Sequence, residues 1–97
     1  MLFHLMATHS EDNCPAYKED SLRLKVRAAR KRYVEIAKAT GVKVRFIGFG
    51  APEHAMFAVI EAKDPMSVDH FWGEAFPYVQ SFKLTAVTDI DVRNKEA

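Results

Sequence analysis

An α+β fold with the element order βαββαβ is predicted by three observations. Short apolar runs of period two fall at both ends and in the middle of the chain, two stretches of helical period separate them, and 97 residues leave no room for a second domain. No repeat, low-complexity tract or Pro/Gly-rich linker interrupts that order.

The elements follow in turn. "LFHLMATH" is apolar and ends in polar turn formers, so it predicts a strand from Leu2 to His9. From Pro15 or Ala16 to about Thr40, Leu22, Val26, Ala29, Tyr33 and Ile36 recur at three- and four-residue spacing and define the buried stripe of a helix. Gly41 ends it, because glycine takes a left-handed cap conformation without a Cβ clash. "VKVRFIGFG" and "AMFAVIEA" both alternate, and "APEH" between them is turn chemistry, which predicts a hairpin over Val42 to Ala62. In "DPMSVDHFWGEAFPYVQ", Asp64 or Ser67 caps a second helix, Pro65 occupies its first turn and Pro77 limits its far end. "SFKLTAVTDIDV" supplies the last strand, and only Arg93 to Ala97 are expected to be disordered.

This is the order of ferredoxin-like folds, a four-stranded antiparallel sheet with both helices on one face. Strand parity divides the side chains into two sets. Phe3, Leu5 and Ala7, Val42, Val44 and Phe46, Met56, Ala58 and Ile60, and Phe82, Leu84 and Ala86 should lie under the helices. The opposite set runs from His4, Met6 and Thr8 through Lys43, Arg45, Ile47 and Phe49 to Phe57, Val59, Glu61, Lys83, Thr85, Val87 and Asp89. Its middle is too apolar to face water and its edges are too charged for a monomer's core, so it is expected to pack on a second copy as a dimeric α/β barrel.

Composition narrows the partners. A net charge of +1 provides no general attraction for nucleic acid, and no uncharged run approaches the length of a membrane span. A single cysteine forms no internal disulfide, which accords with a cytoplasmic location. The expected partners are a small organic molecule and a second copy of the chain, or a higher homo-oligomer; no cofactor and no metal are expected.

"MLFHLM" and "EAFPYVQSFKLTAV" resemble the opening and the helix-to-strand segment of muconolactone isomerases, small members of the dimeric α/β-barrel superfamily. The resemblance implies the barrel fold. Relatives of that architecture include lactone isomerases, cofactor-free monooxygenases, polyketide cyclases and haem-binding proteins, so it leaves the reaction open. "THSEDNCP" and "APEH" depart from the family pattern.

Topology points to the candidate site. The first strand is central and antiparallel to strands 3 and 4, so its C-terminal end lies beside their starts. That edge should gather His9, Cys14, His54 and Tyr78. Histidine near neutral pKa suits His9 to general-base work, or it is a ligand, or a strand-end residue bonded to the loop. Cys14 before Pro15 is either a thiol activated by a helix N-terminus or simply part of a helix start. His54 is an acid or a solvated turn residue, and Tyr78 is an oxyanion donor or a packing anchor. His70 and Glu74 share one helix face, but two ligands do not make a metal site. His4 and Glu61 share the barrel-facing set and are expected to be structural. The basic residues of the first helix, Lys18 to Lys38, form a solvated face.

Three functions compete. The first is a cofactor-independent isomerase or related enzyme acting by proton transfer on a small cyclic or aromatic molecule. The second is a non-catalytic ligand-binding or regulatory dimer. The third is an RNA-recognition-motif-like binder, ranked last because "MFAVIEAKDP" lacks paired exposed aromatics.

Overall fold

A computed structural model describes residues 1–10, 14, 20–50, 54–78 and 80–96. Four strands, β1 (Leu2–Thr8), β2 (Lys43–Gly50), β3 (Ala55–Glu61) and β4 (Ser81–Val87), form one sheet in the order β2-β3-β1-β4. All three pairings are antiparallel. Helices α1 (Asp20–Lys31), α2 (Tyr33–Thr40) and α3 (Pro65–Ala75) connect the strands, and α4 (Ile90–Glu96) ends the described chain. The architecture is α+β with a ferredoxin-like strand order, as the alternating periods predict.

The core forms where the predicted faces meet. Phe3, Leu5 and Ala7 of β1 and Met56, Ala58 and Ile60 of β3 are buried against Ile36 and Ala37 of α2 and Val68, Phe71, Trp72 and Ala75 of α3. Asp64 caps α3 through its carboxylate, which accepts the Ser67 backbone N–H at 2.8 Å. Gly41 closes α2 in the left-handed conformation at φ 76°, donating its N–H back to the helix. The Lys and Arg side chains between Arg23 and Lys38 are exposed, as expected of a solvated face, and two of them pair locally, Arg23 with Asp20 and Arg32 with Glu35.

Four expectations need correction. The long first helix is two helices, because Arg32 donates its N–H to Ala29 O at 3.0 Å in a tighter turn. The predicted start at Pro15 or Ala16 lies outside the described residues. Second, a register shift between Val44 and Phe46 inverts parity along the rest of β2. Phe46 therefore opposes Val59 on the uncovered face, whereas Ile47 opposes Ala58 and packs on the core. Third, Phe82 and Ala86 of β4 are on the helix side by register yet exposed, while Leu84 between them is half-buried against the core. Fourth, "TDIDV" does not extend β4. Asp89 caps α4, its carboxylate accepting the Asp91 N–H at 2.7 Å, so Arg93 to Glu96 are helical rather than disordered.

The sheet face opposite α2 and α3 carries an apolar patch, since Met6, Phe46 and Phe57 are 40%, 57% and 39% exposed. Gly48 lets the Phe46 ring lie across the strand; a Cβ at Gly48 would stand 2.7 Å from that ring. Glu61 accepts a 2.7 Å bond from Arg45, which links β2 and β3 on this face. None of the described helices is long and apolar enough to cross a membrane.

Candidate functional site at the end of the central strand

The C-terminal end of β1 delivers His9, and the residue before β3 delivers His54. Their backbones are tied first, His9 N–H to His54 O at 3.3 Å. This short link continues the β1–β3 ladder past Thr8 and holds the two rings at one edge of the sheet. His9 Nε2 then lies 3.2 Å from His54 Nδ1, with the rings edge to face at 5.1 Å between centroids. His54 has a left-handed backbone, φ 51°, a region that costs a residue bearing a Cβ about 1–2 kcal/mol. Strain of this kind concentrates at sites where a side chain must be aimed.

Tyr78 arrives from the segment between α3 and β4. Its ring stands edge to face with His9 at 5.2 Å, and its hydroxyl donates to the Met56 thioether at 3.4 Å. Thioether sulfur is a weak acceptor, so this O–H can be redirected to a better one at little cost. Phe76, two residues earlier, is a packing corner: it is buried and lies against Trp72 with ring centroids 4.3 Å apart. Gln80 secures the same corner, accepting the Trp72 indole N–H at 3.1 Å and donating to Phe76 O at 2.8 Å. That glutamine had no sequence signal beyond its position after the helix, yet it fixes the segment that carries Tyr78.

Cys14 completes the group. Its sulfur and one ring nitrogen each of His9 and His54 lie within 4.8 Å of one another, and all three residues are half-buried. The four residues that topology assigns to this edge are therefore brought together from separate segments. The helix start expected beside Cys14, at Pro15 or Ala16, lies outside the described residues, and the first helical residue described is Asp20. His70 and Glu74, by contrast, are exposed on α3.

The electrostatics follow from partial burial. His9 is held below the usual histidine range, first by desolvation and then by the neighbouring His54. The Tyr78 hydroxyl is pushed above the ordinary phenol range by burial and by Cys14, with Arg30 opposing. The site thus favours a neutral imidazole at His9 and a neutral, donating phenol at Tyr78. At the opposite end of β1, Leu2, Arg45, Glu61, Val87, Thr88, Asp89 and Val92 line a separate open pocket of about 310 Å³.

The strand order and the one-sided helices define a small α+β protein of ferredoxin-like architecture. No family model matches the chain, and no curated protein matches it. Among solved structures it is similar to the de novo designed protein Ferredog-Diesel, at 13% identity over 86% of this chain and 84% of that one, with a TM-score of 0.43. The fold assignment rests on the strand order and register given above.

Proposed function

We propose that this protein is a small homodimeric enzyme that transfers a proton on an enolisable cyclic or aromatic molecule, with its own side chains as acid and base. The observation that carries the reading is the 3.2 Å contact between His9 Nε2 and His54 Nδ1, set against the Tyr78 ring. A single N–H···N bond between two imidazole rings fixes complementary tautomers. If His9 donates, its Nδ1 keeps a lone pair and His54 keeps its proton on Nε2; in the reverse arrangement the roles exchange. One ring removes a proton from a substrate carbon, the shared proton shifts across the pair, and the other ring returns a proton elsewhere on the substrate. Tyr78 donates to the oxygen that gains charge in the enolate.

The resemblance of "MLFHLM" and "EAFPYVQSFKLTAV" to muconolactone isomerases supports lactones as the first substrates to try. The apolar patch of Met6, Phe46 and Phe57 supports packing of two sheets face to face as a dimeric barrel, in a soluble cytoplasmic protein. Light scattering on the eluting protein should give twice the chain mass. A monomer would remove the barrel and turn Phe46 and Phe57, on neighbouring strands, toward stacking on RNA bases. The activity is tested by incubating a panel of unsaturated lactones and cyclic diketones in D2O with the chelator-treated protein and following carbon-bound deuterium by NMR. Exchange catalysed by the wild type and lost in His9→Ala is expected. Exchange in no panel member, or full exchange in His9→Ala, overturns the proposal.

A further inference from the structure

We propose that the same edge is a binding site for one borderline-soft transition metal ion of the Zn2+ class, held by His9 Nε2, His54 Nδ1 and Cys14 Sγ. The inference does not rest on the proton-transfer reading, because ion binding is decided by the chain alone. The residue types fit: two imidazoles and a thiolate prefer zinc-class ions to Mg2+ or Ca2+, which seek oxygen.

The geometry fits as well. Tetrahedral zinc with Zn–N near 2.05 Å places two ligating nitrogens about 3.3 Å apart. The His9 and His54 nitrogens already stand at 3.2 Å. With Zn–S near 2.3 Å, the sulfur-to-nitrogen edge is about 3.6 Å. The Cys14 sulfur and one nitrogen of each ring lie within 4.8 Å of one another, so a side-chain rotation is enough to bring the sulfur toward the pair. The backbone bond from His9 N–H to His54 O and the left-handed turn at His54 hold two ligands in place before the ion arrives. Among the described residues these three side chains are the ligands, and the fourth tetrahedral position would take water, a small molecule or a further donor.

Binding has a consequence for the histidine pair. The ion takes the nitrogen lone pairs that otherwise share one proton and displaces the thiol proton of Cys14. Metal-loaded protein therefore cannot use the pair as a proton relay, and zinc-class ions act as inhibitors of that activity.

The test uses the full, tag-free chain, reduced and stripped with chelator, titrated with Zn2+ by calorimetry and with Co2+ by absorption. One ion per chain, proton release and a thiolate-to-cobalt band in the near ultraviolet are expected. Loss of an outer-shell partner alone costs about 10–100-fold in metal affinity, so loss of a ligand in Cys14→Ser or His54→Gly should cost at least about 100-fold. His70→Ala should bind as the wild type does. Failure to bind Zn2+, or unchanged affinity in both ligand variants, overturns the metal site and leaves deuterium exchange by the stripped protein untouched. Stripped protein that is inactive and recovers with Zn2+ upholds the metal site and overturns the relay.

Discussion

Replacing His54 by alanine and by glycine separates what its side chain does from what its backbone costs. Both variants lose the imidazole and its bond to His9, so that loss cancels in the comparison. They differ in the Cβ, which at φ 51° is strained by about 1–2 kcal/mol in alanine and unstrained in glycine. Glycine gives back about 0.4–1 kcal/mol through the greater freedom of its unfolded chain. At mid-range, about 1.5 less about 0.7 kcal/mol leaves His54→Gly about 0.8 kcal/mol more stable than His54→Ala. For a domain of this size, about 1 kcal/mol corresponds to about 4–8 °C in Tm, so the glycine variant should melt about 3–6 °C higher. Thermal unfolding of both proteins by circular dichroism at one pH and salt concentration measures the difference. An alanine variant as stable as the glycine variant, or more so, would refute the left-handed turn and with it the aiming of His54 at His9.

Two further outcomes test the frame around the site. Trp72→Phe keeps an aromatic ring against Phe76 but leaves the Gln80 carbonyl oxygen without its donor, which should cost about 1–3 kcal/mol in urea unfolding; a neutral result would mean that Gln80 does not anchor the Tyr78 segment. The Asp64 carboxyl is held below its ordinary 3.8 by the Ser67 backbone N–H and hydroxyl, so its contribution is present above that value and is lost as pH falls through the depressed one. Asp64→Ala should therefore flatten the acid limb of the stability profile below about pH 4, and an unchanged limb would remove the cap from the account.

The sequence carried the elements whose signals are local and unopposed. Period-two runs gave β1 and β3 with correct faces, and Gly41 and Asp64 marked helix ends by the chemistry of their caps. The failures have physical causes. In "VKVRFIGFG", Phe46 and Ile47 are both large and apolar, so parity alone cannot show that the extra residue of a bulge falls near Arg45. In "TDIDV" strict alternation mimics a strand, while the Asp89 carboxylate captures the Asp91 N–H and starts a helix. The turn at Arg32 contains neither proline nor glycine, and nothing local marks it. For the site, antiparallel topology was enough to bring His9, Cys14, His54 and Tyr78 to one edge. The 3.2 Å approach of the two imidazoles depends on the left-handed turn at His54 and on a backbone bond between residues 45 apart, which no spacing rule contains.

The central claim is that His9 and His54 form one proton relay rather than two independent groups. It is tested most directly by deuterium-exchange rates of the chelator-treated wild type, His9→Ala, His54→Gly and the double variant on one exchanged compound. Each single substitution should lower the rate by about 10²–10⁴-fold, and the double variant should be no slower than the worse single one, because removing either ring already breaks the relay. Losses that multiply in the double variant would contradict it.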